Sequence, residues 1–506
     1  MTVVDSKEHR QLAYDMAKQT IVLLQNKNDI LPLSKKIKKV AVIGPNADDE
    51  TMMHGNYNGT PNETFTILRG IKEKIGKKKI VSFRACDLVN DQILESFYDQ
   101  CSMDGKTGLK GTFWNNTKRE GTPVTTLQVT KPLNVPTMGN YAFAPGVHLT
   151  GFSAHYETVF RPKESGDVVI KCNGCSTFEL IVDGVVKTHH NTWRTTDTKT
   201  VINVEAGKEY KIEMNFAQEV ENWNANLYFD LGREHTIDHS ETVKKVKDCD
   251  AVIFVGGISP RLEGEEMPIS LPGFKGGDRL DIELPAVQRN LLKAFKDAGN
   301  KLIFVNCSGS AMAMAPETES CEAILQAWYA GEQGGKAVAD VIFGDCNPSA
   351  KLPVTFYRDS KQLPDYKDYS MKGKTYRYFN DALFPFGHGL SYTQFSLDKA
   401  TYDKNSESVK LTIKNTGKRD GTEVVQVYIR NPKDVDGPLK SLRAYKRVTL
   451  KAGEEQSVTI PLSRESFSLW DEGTNTMRVI PNNPYEIYVG TSSDSKDLKL
   501  VGAQSF

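Results

Sequence analysis

The residues best suited to chemistry cluster in mid-sequence. Gly256-Gly-Ile-Ser-Pro-Arg-Leu-Glu-Gly-Glu-Glu-Met267 places three carboxylates, Glu263, Glu265 and Glu266, on one glycine- and proline-rich loop, and Gly276-Gly-Asp-Arg279 follows. Crowding like charges raises the pKa of at least one of them. A general acid working near neutral pH needs such a raised carboxyl. The loop begins just past a predicted buried strand, Asp250-Ala-Val-Ile-Phe-Val-Gly-Gly257, and ligand sites in open α/β sheets favour that edge. On residue types alone a solvated acidic loop is the competing reading, because perturbed carboxylates mark sites only statistically.

The elements around this loop alternate between strand and helix. Residues 6–28 are predicted as an amphipathic helix capped by Ser6, with Leu12, Met16, Thr20, Leu23 and Leu24 at helical spacing. A strand is expected over 39–44, a helix over 64–76 with Leu68, Ile71 and Ile75 on one face, and a strand over 79–83. From about 107 to 232 the pattern changes to short strands such as 167–171, 178–183 and 209–214, with turns at Asp183-Gly184 and Ala206-Gly207. The α/β rhythm then resumes with a strand near 250–257, a helix over 286–298, strands at 302–306 and 323–327, and a helix near 334–344. Residues 391–506 alternate as in a β-sandwich. The expected architecture is multidomain, α/β plus all-β. Residues 1–106 with 233–355 form an α/β sandwich domain, 107–232 an inserted β-domain, 356–390 a linker, and 391–506 a C-terminal β-sandwich.

Composition excludes several classes. Lysine plus arginine equals aspartate plus glutamate at 64 each, so no basic field would attract nucleic acid. No run of about 18 apolar residues suggests a membrane span, and MTVVDSKEHRQ lacks the apolar core of a signal peptide. Eight cysteines are scattered through the chain; only Cys172-Asn-Gly-Cys175 is tightly spaced. A zinc site would need a second pair, so a local disulfide or two cysteines on one strand edge are the simpler readings. Val40–Asn46 ends a strand at a glycine, but it lacks the nucleotide fingerprints, and Pro45 removes a donor that a phosphate would need.

Several separated segments resemble family 3 glycoside hydrolases, in the family's order. They are HRQLAYDMAKQTIVLLQNKNDILPLS (9–34), VAVIGPNAD (40–48), Gly55-Asn-Tyr-Asn-Gly59 with Pro61, LQAWYAGEQGGKAVADVIFGDCNPSAKLP (325–353) and LFPFGHGLSY (383–392). The insert resembles a protective-antigen-type β-domain, which in related glycosidases leans over the substrate cleft, and the tail resembles a fibronectin type III-like domain. The resemblance implies retaining, exo-acting hydrolysis of β-linked glycosides, from an oligosaccharide or aryl β-glycoside substrate, in a periplasmic or secreted location. Gly55-Asn-Tyr and the long loop tilt it toward β-xylosidase over β-glucosidase. No cofactor or metal is implied. Glu263 maps to the general acid/base, with Glu265 and Glu266 as alternatives because Glu-Gly-Glu-Glu permits a slip. Asp278 and Arg279 resemble a pair that supports this loop; a surface salt-bridge pair is the equal alternative.

A retaining glycosidase needs two carboxyls about 5–5.5 Å apart. In this family the nucleophile is an aspartate on an N-terminal barrel, which takes roughly 250 residues. Asp5, Asp15 and Asp29 sit in a leader, on a helix and in a turn, none on a barrel-strand pattern. The expectation is therefore a fragment, a barrel on a separate polypeptide, or a protein that has lost hydrolysis. An uncovered apolar surface is expected beside Glu263, Met267 and Phe274. The reading from a different class is a carbohydrate-binding accessory protein using Tyr156, Trp193 and Trp223 of the insert, with Trp193 expected to be exposed beside Thr192, Arg194 and Thr195.

Overall fold

The computed structural model describes all residues except 1, 2, 4, 60, 138–141, 219–224, 268 and 472; the side chains of 136, 137, 193–197 and 225 also lie outside it. The chain forms two compact units, 1–91 with 238–506, and 92–237. Together they are multidomain α/β plus all-β.

The first unit is built on a six-stranded sheet in the order Val22–Asn26, Ala323–Gln326, Leu302–Cys307, Ala251–Gly257, Val40–Ile43, Ile80–Val81. The Val22–Asn26 edge runs antiparallel and the other pairings are parallel. Ala251–Gly257 is buried at all seven positions, as expected of a parallel strand covered on both faces. On one face Val42, Ile253, Val255 and Val305 pack with Leu68, Ile71, Val338 and Ile342 of helices Ile67–Ile75 and Gly334–Ile342. Helix Ala286–Asp297 packs against the same sheet and buries Val287, Leu291, Leu292 and Phe295.

The predicted helix over 6–28 is two elements. Ser6 does cap a helix, its hydroxyl accepting from His9 N at 3.2 Å, but the helix ends at Lys18. Val22–Asn26 is a strand, because the β-branched run Thr20-Ile21-Val22 favours extended backbone and the edge of Ala323–Gln326 is open to pair with it. Leu12 and Met16 are exposed; the helix packs instead through Tyr14 and Ala17.

Residues 356–390 are a strap packed on this unit, not a free linker. Phe356 and Phe384 are buried and joined by a β-bridge. Ser360 N donates to Glu283 Oε1 at 2.9 Å, and His388 Nε2 lies 2.9 Å from Leu24 O. Beyond the strap, three strands (Phe395–Asp403, Ser408–Asn415, Glu455–Pro461) and four strands (Ser441–Leu450, Gly421–Arg430, Tyr485–Gly490, Lys499–Gln504) form two sheets. Alternate residues such as Val409, Leu411, Ile413, Val425 and Val427 fill the core between them, the pattern of a sandwich.

The second unit is an antiparallel sheet of 11 strands around one aromatic-rich core that includes Phe113, Phe152, Tyr156, Phe178 and Phe216. The segments expected as separate strands at 167–171 and 178–183 are one strand, Gly166–Val182, with an irregularity between Gly174 and Ser176. Cys172 and Cys175 are both buried on it. Asp183 and Gly184, at φ 50° and 76°, turn it into its partner Val185–Val204, the left-handed pair that a tight hairpin requires. Strand Gln92–Ser96 pairs with Ala225–Thr236, so the β-rich unit takes in residues before 107 and after 232. Among the described residues no helix is long and apolar enough to cross a membrane.

Candidate active site

The site is assembled at the C-terminal edge of the parallel sheet. Gly257 ends its strand at φ 106°, where a Cβ would lie 2.2 Å from Cys307 O. Only glycine lets the two strands run this close. Gln288, fully buried, secures the strand end: its Oε1 accepts from Gly257 N at 2.8 Å, and its Nε2 donates to Gly257 O and Leu88 O at 2.7 Å each. Asn46, after the neighbouring strand, donates from Nδ2 to Gly256 O and Ile258 O at 3.1 and 3.0 Å. The Val40–Asn46 turn is therefore engaged in holding the acidic loop.

From this anchor the chain turns through Ser259–Met267. Glu263 is half-buried. Tyr329 donates its hydroxyl to Glu263 Oε1 at 2.8 Å, and Ser310 lies within reach of Oε2 at 3.4 Å. Asn56 Nδ2 holds the Glu263 carbonyl at 2.8 Å. Arg279 lies behind Ser310, donating from Nη1 to Ser310 Oγ at 3.0 Å and to Ala311 O at 2.9 Å, and from Nε to Asp281 O at 3.2 Å. Its Nη2 is buried without a hydrogen-bond partner. Burial lowers the guanidinium pKa and the nearby Glu263 charge opposes that. The Tyr329 hydroxyl is pushed well up, by burial first and by Glu263 second, so it stays protonated as a donor. Gly309 leaves room for both groups: a Cβ there would meet the Tyr329 ring at 3.0 Å and Glu263 Oε1 at 3.2 Å. Gly264 N donates to Gly277 O at 3.0 Å, which sets the Gly276–Arg279 turn against the acidic loop.

The three carboxylates do not crowd together. Glu263 turns inward toward Arg279, while Glu265 and Glu266 are exposed. Glu265 takes the Tyr57 hydroxyl, and Glu266 occupies a left-handed turn at φ 50°. The expected like-charge crowding is therefore replaced by hydroxyl donors and a neighbouring cation. Asp278 is exposed and Arg279 faces in, because successive residues on a short strand point to opposite sides. Phe274 is buried and Met267 half-buried, so neither forms an uncovered surface; among the described residues Leu280 and Tyr57 are exposed apolar side chains of this region. Of the accessory candidates, Tyr156 is 1% exposed and packs in the core. The side chain of Trp193 and all of Trp223 lie outside the described residues.

Residues 21–392 match the glycosyl hydrolase family 3 C-terminal domain, and 423–493 match a fibronectin type III-like domain. The chain belongs to glycosyl hydrolase family 3. It is 54% identical over 506 residues to a xylan 1,4-beta-xylosidase of Xylanibacter ruminicola, covering 99% of this chain and 58% of that protein. It is 31% identical to a probable beta-glucosidase J of Neosartorya fischeri, covering 92% of this chain and 60% of that one. A crystal structure of a Kluyveromyces marxianus beta-glucosidase in complex with glucose superposes with a TM-score of 0.76 at 25% identity, over 99% of this chain and 62% of that one. The chain thus spans less than two thirds of the length of each of these relatives, and a (β/α)8 barrel is not among its described sheets.

Within this family 3 chain, sequence reasoning passes over Tyr329, Ser310 and Asn56. A signal was available. Ser310 and Tyr329 each follow a strand of the same parallel sheet, as Glu263 does, and the edge rule that selects Glu263 selects them too; Asn56 lies beyond the short helix Glu50–His54.

Proposed function

We propose that this chain supplies the acid/base half of a retaining, exo-acting β-glycosidase, with β-xylosides preferred over β-glucosides. Glu263 protonates the departing glycosidic oxygen and then deprotonates the water that releases the sugar. The observation that carries this reading is the Glu263 carboxylate itself: half-exposed at the ligand-binding edge of the sheet, with a phenol and a serine hydroxyl directed at its two oxygens. Tyr329, and Arg279 through Ser310, are positioning residues that fix its direction. A second carboxyl, the nucleophile, must lie about 5–5.5 Å from it and comes from outside this chain. The xyloside preference is supported by the Xylanibacter ruminicola relative and by the Gly55–Gly59 segment, whose Asn56 and Tyr57 contact the acidic loop.

The test joins this chain to the remainder of the Xylanibacter ruminicola relative. The chimaera should hydrolyse nitrophenyl β-xyloside faster than the β-glucoside, and the 506-residue chain alone should not turn over. Glu263→Gln should lower turnover by roughly 10²–10⁴-fold. Turnover within about threefold of the parent would remove Glu263 from the role and transfer the test to Glu265 and Glu266.

A further inference from the structure

A cleft lies away from Glu263. It lies within the first unit, between the strap and the sandwich tail, and has a volume of about 640 Å³. Its walls come from the strap around Arg377, from the segment carrying Asp434, Asp436 and Arg443, and from Leu469, Trp470 and Met477. Two guanidinium groups line it. Arg377 donates from Nε to Ser441 Oγ at 3.2 Å, and Arg443 donates from Nη2 to Ser468 O at 3.0 Å. Arg443 Nε is buried and has no hydrogen-bond partner. Among the described residues neither arginine is ion-paired, and the charged neighbour that acts on Arg443 is Arg377. Burial lowers the Arg443 pKa, and the neighbouring Arg377 charge lowers it further. Two like charges share a partly desolvated site with a donor left over; Asp434 and Asp436 also line the cleft, but neither is ion-paired to either arginine.

The remaining walls suit a sugar ring. Trp470 lies on the hairpin Leu469–Asp471/Thr476–Arg478 and is 55% exposed. Folding gains little from so large an apolar ring left in water, but an aromatic face is a platform for the C–H face of a pyranose. The Tyr376 ring stacks on Phe386 at 4.2 Å, and its hydroxyl accepts from Leu442 N at 3.1 Å, which makes that wall rigid. Asp434 also lines the cleft, its carboxylate folded over Gly437, and adds an acceptor for ligand hydroxyls.

We propose that this cleft is a non-catalytic subsite for a saccharide that carries a carboxylate. The carboxylate sits between Arg377 and Arg443, and the apolar face of the ring lies on Trp470. Charged, forked donors to carboxylate are the stronger class of hydrogen bond, and Arg matches that geometry where Lys would not. The choice of a saccharide rests on the glycosidase reading; the demand for an anion rests on the two arginines alone.

Calorimetric titration of the 506-residue chain with methyl β-glucuronide, methyl β-glucoside and acetate separates these parts. The glucuronide should bind at least tenfold more tightly than either control, and Arg377→Gln and Trp470→Ala should each weaken it about tenfold. Trp470 is exposed, so its replacement reports on binding even where an arginine variant fails to fold. Equal affinity for the glucoside, equal affinity for acetate, binding untouched by both variants, or no binding would each overturn the proposal. So would loss of glucuronide binding in the chimaera, which would make the cleft an internal interface of the longer protein. Hydrolysis by the chimaera tests the glycosidase reading and equilibrium binding tests the cleft, so either can fail alone.

Discussion

Glu263 accepts from a phenol that follows another strand of the sheet, 66 residues further along the chain. A hydrogen bond to an ionised group is worth about 1.5–3 kcal/mol. Tyr329→Phe keeps the ring packing and removes only the donor. In the chimaera it should reduce turnover by roughly tenfold or more with little change in KM; unchanged turnover would limit Tyr329 to packing. A second residue-scale expectation concerns Asp230 of the β-rich unit. Burial raises its pKa to about 6, against the hydrogen bonds from Ser96 Oγ (2.7 Å) and Leu231 N (2.8 Å) that favour the anion. An acid whose pKa is raised on folding binds more protons when folded. Stability should therefore fall as pH rises from about 4 to about 6 and stay lower above that window, by about 3 kcal/mol. Asp230→Asn retains an acceptor and removes the charge. Its stability gain in urea unfolding should be near zero below pH 4 and reach its full size at pH 7; a gain independent of pH would contradict the assignment.

At the scale of elements, the helices Ile67–Ile75 and Gly334–Ile342 approach at glycines. A Cβ on Gly70 would lie 2.2 Å from Gly335 O. Helix propensity favours alanine over glycine by about 1 kcal/mol, but a clash with backbone cannot be relieved by a rotamer. Overpacking of this kind costs about 1–3 kcal/mol and sometimes more. Gly70→Ala should thus lower stability by chemical denaturation, and a gain would show that the helices can slide apart. Such crossings also explain which elements were legible. The runs Val40–Ile43, Ala251–Gly257 and Leu302–Cys307 read as strands because burial on both faces leaves an unbroken apolar stretch. Val22–Asn26 did not, because its apolar residues continue the helical spacing of the segment before it, and its strand state depends on pairing with residues 323–326.

At the scale of the molecule, the β-rich unit leaves and re-enters the chain at one place. Gln92 and Thr236 are paired neighbours, with Gln92 Nε2 donating to Thr236 Oγ1 at 2.8 Å. Antiparallel partners have Cα atoms about 4.5–5.5 Å apart, so a short linker from Asp91 to Asp238 can replace the insert. The shortened chain should retain a cooperative melt and helical circular dichroism, and residues 92–237 expressed alone should fold and carry the whole Asp230 pH effect. Aggregation of both pieces would show that the units depend on each other for stability.

The sequence by itself determined the alternation of strands and helices, the Asp183-Gly184 hairpin turn, the two-residue rhythm of the tail and the family. It also narrowed the candidate acid to three neighbouring glutamates. These follow from local periodicity, turn chemistry and motifs, all contained within a few residues of chain. Tertiary structure alone decided that Glu263 turns inward while Glu265 and Glu266 face water, that Arg279 and not Asp278 approaches it, that Tyr329 and Ser310 hold it, and that 356–390 is a packed strap. Each of those outcomes depends on a partner far away in sequence, and a side chain's direction is set by the surface it meets, which no local pattern encodes.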